Sequence, residues 1–240
     1  MGQPVTARAG RTRDPAVRSA GLLLLLTAAA TVVMVFARVA ADADQPDLLE
    51  SIRAIAASKA MYSVSGAARL GSGLTLIAGA WFLWRTWIVR ERVGTPIAPL
   101  LLAVSGVFTA VSGVCALALA ASAPAASEAA ALGVVDASTE VIASVRSVTG
   151  KLGFAAAGLA LLAAAQRQWT AGGAIRRIAP GSLALGMAMQ FIWVDAATIV
   201  HRISGIAFVL WLIGIALMLV TGRVERHFAA MQDSSRAGHR

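Results

Sequence analysis

Residues 19–40 read SAGLLLLLTAAATVVMVFARVA, an almost unbroken apolar run whose one charge is Arg38. An α-helix rises about 1.5 Å per residue and the hydrocarbon core of a bilayer is about 30 Å thick, so about 20 apolar residues predict a membrane-crossing helix. A cleaved signal peptide is the other reading, because the run follows arginines and precedes small residues near Ala41 and Ala43. Its apolar part, Ala20 to Ala37, exceeds the roughly 7–15 residues of a signal core. That favours a retained anchor.

The pattern recurs at 66–89, 97–121, 149–165, 181–200 and 204–221. Six stretches predict an all-α integral membrane bundle of six transmembrane helices, an even number that returns both termini to one side. Composition agrees: 58% of the 240 residues are hydrophobic and 14% charged, where soluble domains carry about a quarter charged residues. The expected organisation is a basic N-terminal tail over 1–18, a membrane domain over 19–221 with outer loops at 41–65 and 122–148, and a polar C-terminal tail over 222–240 that need not be ordered.

Charge orients the bundle. Short loops rich in Lys and Arg stay in the cytoplasm. With the N-terminus inside, that side receives 14 basic residues against four acidic, including Arg8, Arg11, Arg13, Arg18, Arg85, Arg90, Arg92, Arg167, Arg176, Arg177, Arg223 and Arg226. The outer side receives seven basic residues against eight acidic. Both termini are therefore expected in the cytoplasm, and the protein in a bacterial inner membrane. The net charge of +9 reads as topology, with attraction to anionic lipid at the cytoplasmic face, and not as a nucleic-acid surface. Trp81, Trp84 and Trp87 beside Arg85, and Trp169 after the fourth stretch, suit that interface. Trp211 lies deeper and is expected to face protein.

The outer loops carry structure of their own. Asp44 and Asp47 flank Pro46 as at a helix start, and Leu48, Ile52, Ile55 and Tyr62 recur at helical spacing, predicting an amphipathic helix on the outer membrane surface. Asp136, Glu140, Ser144, Ser147 and Lys151 share one helical face, so the fourth helix is expected to project beyond the bilayer. Small residues repeat at intervals of four as Ser63, Ala67, Gly71, Thr75 and Gly79 in the second helix. Ser105, Thr109 and Gly113, beside Gly106 and Ala110, do the same in the third, and Gly153, Ala157 and Gly158 occupy the fourth. Such rows let helix backbones approach and predict close packing of helices two, three and four; a lining for a substrate is the other reading.

Familiar catalytic motifs are missing. The chain has no Gly-rich phosphate loop with a following Lys, no HExxH, no GxSxG and no CxxC. With one cysteine, Cys115, and histidines only at 201, 227 and 239, no metal site is expected and no cofactor is called for. Charges within a span merit a functional hypothesis. Asp195 lies about 7 Å below the outer end of the fifth stretch at 1.5 Å per residue, with Thr198 and Arg202 further along its face. Arg69 and Lys151 are expected at similar depth, giving one acid among outer cations able to hold an ion pair or bind an anion. Gln190 is expected to make a helix-to-helix hydrogen bond. Asp195, Arg202, Arg69, Lys151, Gln190 and His201 are the candidate ligand-binding residues.

The string HRISG, His201 to Gly205, resembles the HR-x-[ST]-G signature of the cytochrome b subunit of succinate dehydrogenase. That resemblance implies haem or quinone contact through His201 and Arg202. It lies at the last helix instead of the first, and no second histidine is expected within the membrane, which leaves Met187 or Met189 as ligands in principle. Over most of its length the chain is similar to multi-pass bacterial membrane proteins grouped as domains of unknown function, through RSAGLLLLL, DLLESIRAIAASKAMYS and TGRVERHF. That similarity implies a helical membrane bundle and no activity. The expected function is non-enzymatic: solute or ion permeation, sensing, or an accessory role beside a membrane-protein partner or a second copy. Membrane redox chemistry is the alternative.

Overall fold

A computed structural model describes residues 14–43, 45, 47–90, 96–131, 135–194 and 198–237. Arg8, Arg11, Arg13, Asp44, Pro46, Arg92, Asp195, His239 and Arg240 lie outside them. The described residues are helical with no strand. In chain order the helices are α1 (Pro15–Ala40), α2 (Leu48–Ala57), α3 (Lys59–Arg85), α4 (Trp87–Arg90), α5 (Ile97–Ala131), α6 (Ala137–Ala171), α7 (Gly173–Arg176), α8 (Ala179–Gln190), α9 (Thr198–Val220) and α10 (Arg223–Ala237); a 3₁₀ turn, Phe191–Trp193, follows α8.

Four of these, α1, α5, α6 and α9, are long and apolar enough to cross a membrane. The other two expected spans differ for physical reasons. α3 has 27 residues but carries Lys59, Arg69, Arg85 and many small polar residues. It is wedged between α1 and α5, and that burial stands in for apolar composition. The stretch 181–200 does not form one span-length helix, because α8 ends at Gln190 after 12 residues. At 1.5 Å per residue it is about 18 Å long, short of a bilayer core of about 30 Å.

The long helices form a closed antiparallel ring in the order α1, α3, α5, α6, α8, α9 and back to α1. Their shared end, where α1 begins and α9 ends, is termed the terminal end. There the Asp14 carboxylate caps α1 by accepting from Ala16 N at 2.9 Å, and Asp14 N donates to Glu225 Oε1 at 3.0 Å. His227 on α10 lies 3.3 Å from the Ala171 carbonyl at the end of α6. Residues 223–237 form a helix, α10, with His227 against α6 and Phe228 in the core. Positive φ at Gly172, Gly173 and Gly222, +69°, +54° and +70°, makes the turns of this end, a backbone region that glycine enters without a Cβ penalty.

At the opposite, loop end, α2 packs its Ile52 and Ile55 face against protein. Ile55 clusters with Tyr62, Ala116, Leu119 and Ala120, so the helix expected on a membrane surface is instead seated on α5. α5 and α6 each have 35 residues, about 52 Å at 1.5 Å per residue. They outreach the other helices as a hairpin, with the Asp136 carboxylate capping α6 at Ser138 N.

Close backbone approach does hold α3, α5 and α6 together, but with a different register on α3. A Cβ on Gly73 would lie 2.5 Å from Ala110 N, and one on Gly113 would lie 2.5 Å from Leu70 N. α3 therefore meets α5 through Gly66, Leu70, Gly73 and Ile77, the 3.5-residue period of crossing antiparallel helices. Of the row read at intervals of four, Gly71 faces open space and Gly79 meets Leu23 and Leu24 of α1. On α6, Gly153 meets Ser105 and Thr109, and Gly158 meets Met189 and Gln190. The buried core fills the half of the ring nearer the terminal end, with Val17, Leu24, Leu212 and Ala216 at 0–1% exposure. Between this core and the Tyr62 cluster at the loop end the ring is hollow.

Candidate functional site: a cavity within the helical bundle

A cavity of about 580 Å³ occupies that hollow, walled by α1, α3, α5, α6 and α9. α3 faces it with Arg69, Ser72 and Leu76; α5 with Ser105, Thr109 and Ser112. These positions follow from helical spacing: residues three and four apart share a face, so each helix presents one polar stripe inward.

Arg69 is the only charged residue among the described lining residues. Its Nη1 donates to Ser112 Oγ at 2.9 Å and its Nε lies 3.2 Å from Met34 Sδ. Ser112, fully buried, in turn donates to the Arg146 carbonyl at 2.9 Å. One guanidinium thus joins α1, α3 and α5 at the wall and is linked through Ser112 to α6. The Arg146 guanidinium itself lies over Tyr62, 6.0 Å from the ring centre. Arg69 is ten residues into α3, about 15 Å along the helix, so it lies deeper than a position near the start of the span.

The hydroxyls of Thr27, Thr31, Ser72 and Thr75 are engaged inside the wall. Thr27 Oγ1 is 2.9 Å from Thr75 Oγ1 and Thr31 Oγ1 is 2.8 Å from Ser72 Oγ, while both threonines also donate to carbonyls one turn back. With Ser65 donating to the Met34 carbonyl at 3.0 Å, they form a ladder between α1 and α3. Interhelical hydrogen bonds of this kind average about 0.6 kcal/mol each in membranes.

The cavity opens sideways. At the terminal end α1 and α9 touch, a Cβ on Gly21 meeting Val220 at 2.8 Å. Toward the loop end they part: a Cβ on Gly205 would meet nothing within 4 Å, Phe36 is 73% exposed and Ile206 64%. Val35, Phe36, Ile206 and Leu210 rim this mouth. The floor is closed. A smaller space of about 190 Å³ lies beyond it, walled in part by Leu24, Leu102, Gln168 and Trp211, and shares no lining residue with the first. Ala80, Ala160 and Leu212, at most 3% exposed, pack between the two.

Of the described residues expected to form a site, Arg69 alone lines the cavity. Lys151 is half-buried next to Gly150 but off the wall, and Arg202 is exposed on α9. Gln190 Nε2 donates to the Ala155 carbonyl at 3.1 Å and to Gly186 in its own helix at 3.3 Å, bridging α8 to α6. Asp195 lies outside the described residues. His201 Nε2 is 2.7 Å from the Phe191 carbonyl, tying the 3₁₀ turn to α9, while His227 sits beyond the other end of that helix. No described group of three or more His, Cys, Asp and Glu residues is disposed to hold a metal. Trp211 faces protein, donating to Ser182 Oγ at 2.9 Å and stacking on Phe208.

Thr27, Thr31, Ser72 and Ser112 are not among the residues the sequence singles out, whereas Ser105 and Thr109 belong to a small-residue row read there as packing or as a substrate lining. Their signal was the coincidence of inward polar stripes on three helices, which reads on each helix alone as packing. Comparison with protein-family models, with curated proteins and with solved structures finds no match to this chain.

Proposed function

We propose that this chain is an integral protein of a bacterial inner membrane, with six crossing segments and both termini in the cytoplasm, and that it binds a small solute within the bundle in a sensing role. The terminal end carries Arg18, Arg85, Arg90, Arg167, Arg176, Arg177, Arg223 and Arg226, which under the positive-inside rule supports a cytoplasmic placement next to anionic lipid. α3 supplies the fifth crossing. α8 with its 3₁₀ turn supplies the sixth, at about 24 Å from rises of about 1.5 and 2.0 Å per residue.

One observation carries the binding reading: a cavity of about 580 Å³ with a guanidinium at its wall and a closed floor. Its size falls within the roughly 300–1,000 Å³ of small-molecule sites. The packed floor favours binding over permeation in this conformation.

Native mass spectrometry and thermal unfolding of the purified protein test this, with Gly205→Phe as the blocking variant, since the Cβ position there is open. Wild type is expected to carry a small-molecule adduct. Stripping it is expected to lower stability, because a ligand at a hundred times its Kd adds about 2.7 kcal/mol. The variant is expected to fold without the adduct. A bare wild-type spectrum, with a melting curve that membrane extract does not move, would refute the proposal.

A further inference from the structure

The cavity's chemistry narrows its occupant, on the premise that it binds a ligand at all. We infer that it takes a single-chain anionic amphiphile of the fatty-acid class, drawn from the lipid layer through the gap between α1 and α9, with its head group on Arg69 and Ser112.

Four observations converge. First, the mouth is apolar and lateral: Val35, Phe36, Ile206 and Leu210 rim it and are 47%, 73%, 64% and 64% exposed, so the route leads to hydrocarbon and not to water. Second, the charge is single and positive among the described lining residues, and Arg69 Nη1 and Ser112 Oγ are already gathered at 2.9 Å. A guanidinium presents a planar fork of donors suited to a carboxylate or phosphate. Third, the deeper wall is mostly apolar, with Leu76, Phe208, Val209 and Ile213, and the Thr27 and Thr31 hydroxyls are engaged by Thr75, Ser72 and helix carbonyls, while α5 adds the hydroxyls of Ser105 and Thr109. Fourth, a volume of about 580 Å³, within the roughly 300–1,000 Å³ of small-molecule sites, suits one acyl chain with its head group.

Equilibrium binding to the full chain in phosphatidylcholine nanodiscs tests the inference with two probes of equal chain length, radiolabelled palmitate and hexadecanol, and with inorganic phosphate as competitor. Wild type is expected to prefer palmitate to hexadecanol by tenfold or more. Arg69→Gln should abolish that preference, Arg69→Lys should keep most of it, and Gly205→Phe should weaken both probes. Phosphate should not displace palmitate. Equal affinity for acid and alcohol in wild type, or an unchanged preference in a folded Arg69→Gln protein, overturns the anionic assignment. Displacement by phosphate overturns the amphiphile and leaves a soluble-anion cavity. Failure of both probes on a protein whose native spectrum shows an adduct overturns this inference alone. Failure on a protein that is bare and insensitive to membrane extract removes the premise with it.

Discussion

Gly73 and Gly71 lie two residues apart on one helix and are expected to respond oppositely to the same methyl group. A Cβ at Gly73 would sit 2.5 Å from Ala110 N, 2.6 Å from Gly106 O and 2.9 Å from Ala110 Cα. These are backbone atoms of α5, and no rotamer change moves them. Ordinary contact starts near 3.4 Å, so Gly73→Ala requires α3 and α5 to separate by about 0.9 Å at their crossing. The neighbouring contacts at Gly106 and Gly113 are equally tight, at 2.7–2.8 and 2.5 Å, so the strain cannot be absorbed locally. Overpacking of this kind costs about 1–3 kcal/mol; at 2 kcal/mol the folding equilibrium falls about 25-fold. A Cβ on Gly71 would meet nothing within 4 Å, and alanine is the better helix former by about 0.5–1 kcal/mol, so Gly71→Ala should be neutral or slightly stabilising. Reversible unfolding in mixed micelles, titrated with sodium dodecyl sulfate and followed by circular dichroism, compares the two. Shifts of the same sign and size would refute the claim that direct backbone contact holds α3 to α5.

Thr31→Val keeps the shape of the side chain and removes the hydrogen bond to Ser72; the same titration should show a loss near the membrane average of about 0.6 kcal/mol, and a shift indistinguishable from zero would mean that the ladder between α1 and α3 adds no stability. At the head of α6, the Ser138 hydroxyl holds the Asp136 carboxyl below its ordinary value of 3.8, with backbone amides adding to the effect. A carboxyl held lower in the folded state contributes fully above that ordinary value and loses its contribution as pH falls through the lowered one. Amide-exchange protection in the first turn of α6 should therefore be constant at neutral pH and decline only in strong acid, and Asp136→Asn should remove that dependence.

Length and hydropathy made most of the bundle legible. The runs at 19–40, 97–121, 149–165 and 204–221 all lie within α1, α5, α6 and α9 apart from Thr221, which follows the last of them. Hydropathy fails where burial by protein replaces burial by lipid. α3 tolerates Arg69 and its small polar residues because α1 and α5 cover it, and the Ile52 and Ile55 face of α2 meets a helix that a single-segment reading cannot place. The register of α3 is not legible from its own sequence because interval-four and interval-seven rows overlap in a glycine-rich segment; only the partner helix chooses between them. Arg69 was visible as an intramembrane charge, whereas its partner Ser112 was one serine among many. Pairing them depends on the α3–α5 register that the close contact at Gly73 sets.

The ring is closed by contact between its first and last long helices, and this orders its assembly. α1 emerges from the ribosome first and α9 last of the ring, so every other helix is made before the α1–α9 seam can form. Until then the stripe bearing Arg69, Ser72, Ser105 and Ser112 has no lid on that side. A nascent chain stalled before α9 would present the Arg69 guanidinium to lipid or to the insertion machinery. Truncation upstream of Thr198 should therefore leave a fragment that inserts poorly or is cleared by quality control, even though its own apolar helices are intact.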